Sequence, residues 1–118
     1  MKNHFVNLKD GTRIDIKINF GTLYYLQKIG ANELAQRMER EEKKKHKVSD
    51  DDQMEFTAKV IYAVLRSNGR EVTFDEALML MPMDEDCIRT VISAYEKELK
   101  KIKKKQDAKK NMKTFVQK

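Results

Sequence analysis

Ile14, Ile16, Ile18 and Phe20 alternate with Arg13, Asp15, Lys17 and Asn19. Successive side chains of a strand point to opposite faces, so this period of two predicts a strand over residues 12–20 with four apolar side chains on one side. The Asp10-Gly11 pair just before it suits a two-residue type I′ turn, and His4–Lys9 supplies an earlier strand. The chain is therefore expected to open with a β-hairpin. Two strands are marginal in water by themselves, so their apolar face demands helices packed on it. The fold class that follows is α+β, mostly helical, with the hairpin first.

The rest of the sequence reads as four to five α-helices. Thr22 can cap a short helix through Leu23, Leu26 and Ile29, which Gly30 ends. Asn32 can cap a second, with Leu34, Ala35 and Met38 as a thin apolar stripe. That stripe dies in Glu39–Lys47, where eight of nine residues are charged, so a frayed end or an open loop is expected there. Ser49 followed by Asp50, Asp51 and Asp52 is a strong helix start. The helix it opens is apolar on nearly all sides, from Met54 to Leu65, which marks it as the central one. Thr73 and Glu76 fit a capping box for a short helix that Pro82 stops. Asp84 starts the last helix, where Ile88, Val91 or Ile92, Tyr95, Leu99 and Ile102 share a face. Residues 1–102 thus form one domain. Beyond them a long basic C-terminal helix either projects into solvent or unravels as a mobile tail over 103–118.

Charge is informative only once it is located. From Lys97 to Lys118 ten lysines stand against Glu98 and Asp107, a balance of +8, so residues 1–96 carry −2 of the chain's +6. A nucleic-acid-binding domain usually spreads positive charge over a folded face. Here the body is nearly neutral and the net positive charge lies in the tail, at Lys103, Lys104, Lys105, Lys109 and Lys110 among others. No arginine follows Arg89 and Phe115 is the only tail aromatic, so bidentate base reading and base stacking are both poorly supplied. A solvated tail, a docking segment for an acidic partner and a nucleic-acid contact remain open, in that order. No apolar run suits a membrane span or a signal peptide, and a single cysteine permits no internal disulfide. A cytoplasmic protein is the simplest reading.

Catalysis, metals and cofactors are not expected. A nucleophile pair would need Cys87 beside His4 or His46, which lie in different elements. The acidic clusters Asp50–Asp52 and Asp84–Asp86 sit where helix caps belong, and no glycine-rich phosphate loop is present. Met79, Met81 and Met83 are more suggestive. Methionine is flexible and polarizable and suits surfaces that must fit varied apolar partners. Alternating with Leu78 and Leu80 around Pro82, the three cannot all be buried by one helix face. Either they fill the core between two helices or they form part of a partner-binding patch; an apolar excess of this kind also hints at a homo-oligomer.

The hairpin leading into Asn19-Phe20-Gly21-Thr22-Leu23-Tyr24-Tyr25-Leu26-Gln27-Lys28-Ile29-Gly30 resembles the tail assembly chaperones of long-tailed phages and prophages of Gram-positive bacteria. The apolar run Val60–Leu65, the capped helix Thr73–Leu80 and a final helix ending in charge are similar too, so the resemblance spans about residues 5–100. The charged insert at Glu39–Lys47 and the lysine-rich end depart from it. The resemblance implies a chaperone that keeps the helix-rich tape measure protein soluble while tail tube subunits polymerise around it. Its setting would be the bacterial host cytoplasm, and on this reading the apolar residues expected to contact the client are Leu23 and Leu26 of the first helix and Leu78, Met79, Met81 and Met83. Many such chaperones have a longer form made by ribosomal frameshifting, and the A-rich codons of lysine runs such as Lys103–Lys105 and Lys109-Lys110 mark the region in or near which a slippery site is expected. The alternative is a small nucleic-acid-binding or regulatory protein that uses the lysine tail.

Overall fold

The computed structural model describes residues 5–82 and 84–116, with side chains described as far as Ile102. These residues form an antiparallel hairpin of β1 (Phe5–Asn7) and β2 (Arg13–Asp15), followed by α1 (Phe20–Lys28), α2 (Ala31–Lys43), α3 (Asp50–Ser67), α4 (Phe74–Leu80) and α5 (Glu85–Val116). The expected α+β class and element order are observed. His4 and Met83, both singled out in the sequence, lie outside the described residues.

The hairpin pairs Phe5 with Asp15, Val6 with Ile14 and Asn7 with Arg13. That register leaves three residues, Lys9-Asp10-Gly11, in the loop rather than the expected two. A type I′ turn needs positive φ at both central residues. Only Gly11 has it, at +87°, while the Asp10 carboxylate accepts the Thr12 amide at 2.9 Å and so holds the longer loop. The Gly11 amide donates to the Leu8 carbonyl at 3.0 Å, and Leu8 donates to Thr12 at 2.7 Å.

The apolar alternation does its expected work as far as Ile18. Val6, Leu8, Ile14, Ile16 and Ile18 are all buried. Phe20, expected as the fourth member of that face, is instead 72% exposed and is the first residue of α1. The cause is Asn19, which caps α1 in place of the expected Thr22. Its side chain accepts the Thr22 amide at 2.9 Å, and its own amide donates back to the Thr22 hydroxyl at 3.3 Å. This reciprocal box ends the extended backbone one residue before the pattern does. Likewise α2 starts directly after Gly30, in left-handed conformation at φ +81°, and not at Asn32.

Helix α3 is the centre of the molecule and packs against α1, α2, α4 and α5. Ser49 caps it, its side chain accepting the Asp52 amide at 3.1 Å, with three aspartates in the first turn. Ala58, Val60, Ile61, Ala63 and Val64 are fully enclosed. Its end is a Schellman motif: Arg70 donates to the Leu65 carbonyl and Gly69 to Arg66, both at 3.0 Å, with Gly69 at φ +91°. The same motif ends α2, where His46 donates to Glu41 and Lys45 to Glu42. There the left-handed position is filled by Lys45 at φ +62° rather than by glycine. Helix α4 has the expected capping box between Thr73 and Glu76. Helix α5 stays helical past Ile102 to Val116.

Candidate protein-binding groove

Helices α2 and α5 both pack on α3, and a cleft of about 1300 Å³ runs between them. Small-molecule pockets span roughly 300–1,000 Å³, so this cleft is on the scale of a peptide segment rather than a cofactor. Its floor is buried apolar surface: Met38, Val48, Phe56, Met81 and Tyr95. Phe56 and Tyr95 meet edge to face at 4.9 Å between ring centroids, which ties α5 to α3 beneath the cleft. Its walls are half-buried: Leu23 from α1, Ala35 from α2, Met54 from α3, and Ile88, Ile92 and Leu99 from α5. A stripe that is apolar at helical spacing and half exposed still has a face to offer.

The rim is charged. Glu39, Glu42, Asp50, Asp84, Glu85 and Glu96 line it against Lys47, Arg89 and Lys100, an acidic excess. Lys43 draws off Glu39 at 3.4 Å and Arg89 lies 3.9 Å from Glu85. Glu42 and Glu96 are exposed and make no ion pair among the described residues. The site therefore combines an apolar trough with an acidic border.

The residues expected to bind a partner separate into three places. Leu23 and Met81 come together at the groove, Leu23 in a wall and Met81, 1% exposed, at the bottom. Leu26 is fully enclosed in the core and presents nothing to a partner, because α1 turns that face onto α3. Leu78 and Met79 are exposed on α4, away from the groove, at 41% and 75%. Met83 falls outside the described residues, as do the side chains of Lys103, Lys104, Lys105, Lys109 and Lys110. The wall residues Ala35, Met54, Ile88, Ile92 and Leu99 were missed as site residues. Their spacing was visible, but a core stripe and a groove wall have the same spacing.

A second surface carries aromatic rings. Tyr24, Tyr25, Tyr62 and Phe74 form an edge-to-face row across α1, α3 and α4, with centroid separations of 5.1, 6.3 and 6.5 Å. Arg66 stacks over Tyr25 at 5.2 Å and Lys28 over Tyr24 at 5.6 Å. Tyr24 nevertheless stays 57% exposed.

Burial, and then the nearby Asp84 carboxylate, push the Cys87 thiol up to about 11, which keeps it protonated at neutral pH. Cys87 also donates its amide to Asp84 at 2.6 Å, so Asp84 is a cap as expected. His46 lies 3.1 Å from Glu41 at the end of α2. Among the described residues no group of three or more His, Cys, Asp or Glu is placed to hold a metal ion, and no helix is long and apolar enough to cross a membrane. Comparison with known families, with characterised proteins and with solved structures finds no match.

Proposed function

We propose that this chain is an assembly chaperone that holds an apolar helical segment of a longer client in the groove between α2 and α5. The observation that carries the reading is the groove itself: a trough with a buried apolar floor, half-exposed apolar walls and a charged rim. A helix laid in a groove is anchored by apolar residues at i, i+3, i+4 and i+7 and needs few directed hydrogen bonds. Methionines at 38, 54 and 81 suit a site that must accept more than one sequence. The resemblance to phage tail assembly chaperones supplies the client: the tape measure protein, kept soluble until tail tube protein surrounds it.

The test is co-expression of a tape measure protein with the wild-type chain and with the double substitution Ile92→Asp, Leu99→Asp. Wild type should keep the client in the soluble fraction, and the groove variant should leave it in the pellet while its own circular dichroism stays helical. Equal solubility with either form rules the groove out as the client site. A client that stays insoluble with wild type rules out the chaperone reading. Truncation after Ile102 separates the nucleic-acid alternative, which predicts loss of binding, from the groove, which keeps it.

A further inference from the structure

The lysine tail contains an apolar pattern that the charge hides. Ala108, Met112, Phe115 and Val116 are spaced i, i+4, i+7 and i+8, the spacing of a single helix face. Lysines precede it at 103–105 and share the positions between, at 109, 110 and 113, with Asn111 and Thr114, and the backbone there is helical to Val116. This is the complement of the groove: an apolar stripe flanked by positive charge, against an apolar trough bordered by carboxylates.

The tail cannot reach the groove of its own chain. Residues 88–99 of α5 are one wall of that groove, and the helix continues without a break from Glu85 to Val116. At 1.5 Å per residue, the fourteen residues after Ile102 carry the end about 21 Å onward along the wall's own direction. Only a tail that arrives from elsewhere can lie in the trough. We propose that the groove receives the C-terminal segment 108–116 of a second copy of this chain, with Met112 and Phe115 as anchors and the lysines facing Glu42 and Glu96. Exchanged reciprocally, two tails fill two grooves about one twofold axis, a closed arrangement that stops at the dimer. The tail then acts as a resident pseudo-client, which covers the apolar trough until a client displaces it. This deepens the chaperone reading and rests on it for the groove as a receptor of helices.

Sedimentation velocity on the full chain over a concentration series tests the pairing. Wild type should dimerise. The double substitution Met112→Asp, Phe115→Asp should weaken the dimer roughly a hundredfold by removing two buried anchors. The rim reversal Glu42→Lys, Glu96→Lys should weaken it about tenfold, and adding Lys109→Glu, Lys110→Glu should restore it. A wild type that stays monomeric, a dimer indifferent to the tail substitutions, or a rim reversal without effect each overturns the proposal. A fluorescein-labelled amphipathic helical peptide of leucine and lysine, titrated into the Met112→Asp, Phe115→Asp form, reads the groove independently. Tighter binding than to wild type supports the tail as competitor, and equal binding overturns it. No binding to either form, with the dimer behaving as expected, removes the client reading and leaves the pairing.

Discussion

Arg70 donates from its guanidinium to the carboxylate of Asp10 at 2.7 Å, so the residue that leaves α3 holds the loop of the opening hairpin. The Schellman end of α3 aims Arg70 there, and its second nitrogen lies 3.4 Å from Thr12. The Arg70 hydrogen bond, and then the amide of Thr12, lower the Asp10 carboxyl from 3.8 to about 2. A carboxylate with a depressed folded-state pKa stabilises the fold above its unfolded value, and that contribution is lost as pH falls through the folded one. Asp10→Asn should therefore be less stable than wild type at pH 7. The gap should narrow between about pH 4 and pH 2, followed as urea midpoints across that range.

Thr22 joins two helices through hydroxyl groups. It is fully buried, lies 3.0 Å from Ser67 Oγ, and Ser67 in turn donates to the Val64 carbonyl at 3.0 Å. A Cβ at Gly21 would meet Asn19 Oδ1 at 3.2 Å and Ser67 Cβ at 3.5 Å, so the approach of α1 to α3 is close just here. Thr22→Val keeps the volume and the Asn19 cap on its own amide, but removes the hydroxyl that accepts the Asn19 amide and donates to Ser67. An unsatisfied buried group costs about 1–3 kcal/mol, and chemical denaturation should show a loss in that range.

What was legible in the sequence and what was not follows from the range of each signal. Caps are local: Ser49, Thr73 and Asp84 announced α3, α4 and α5, and each side chain accepts the backbone amide three residues on. The hairpin was legible through Ile14, Ile16 and Ile18. Its register was not, because Asp10-Gly11 serves a two- or a three-residue loop and the choice rests on the Asp10 carboxylate and Arg70, sixty residues away. The groove was hidden for a related reason. Ile88, Ile92 and Leu99 on α5 and Ala35 on α2 look like core stripes, and only the separation of the two helices on α3 leaves them half exposed.

Lys45 occupies the left-handed position after α2 at φ +62°, where an L side chain crowds its own backbone. No packing asks for lysine there, since the side chain is exposed. Glycine fits this conformation without that penalty, and its greater freedom in the unfolded chain offsets part of the gain. Lys45→Gly should stabilise the protein by about 0.5–1 kcal/mol, visible as a raised thermal midpoint. The same change at Lys44, the cap residue at φ −83°, should give no such gain.

Cys87 lies in the first turn of α5, where a helix terminus ordinarily favours a thiolate. Burial and Asp84 win, and the thiol sits at about 11 against an ordinary 9.0. Thiol reagents at pH 8 should modify Cys87 slowly in the folded protein and fully after denaturation. The sign for stability is set by the neutral form being favoured on folding. Relative to Cys87→Ala, the wild type should lose stability as pH rises from about 9 towards 11.

Met79 and Met81 are two residues apart and alike in the sequence, yet opposite in the fold. Helix α4 ends at Leu80, and Met81 takes extended backbone at φ −69°, ψ 126°. That change of course drops the Met81 side chain to the bottom of the groove at 1% exposure, while Met79 stays 75% exposed on α4. Met81→Ala removes packed volume under the trough and should cost about 2–5 kcal/mol. Met79→Ala touches neither core nor groove and should fall within about 0.5 kcal/mol of wild type. Urea denaturation of both variants reads the difference, and the helical peptide reads its consequence for binding. Met79→Ala should bind as wild type does, whereas Met81→Ala should bind more weakly under conditions where it remains folded. Loss of peptide binding in Met79→Ala with stability unchanged moves the binding surface from the groove to the exposed face of α4.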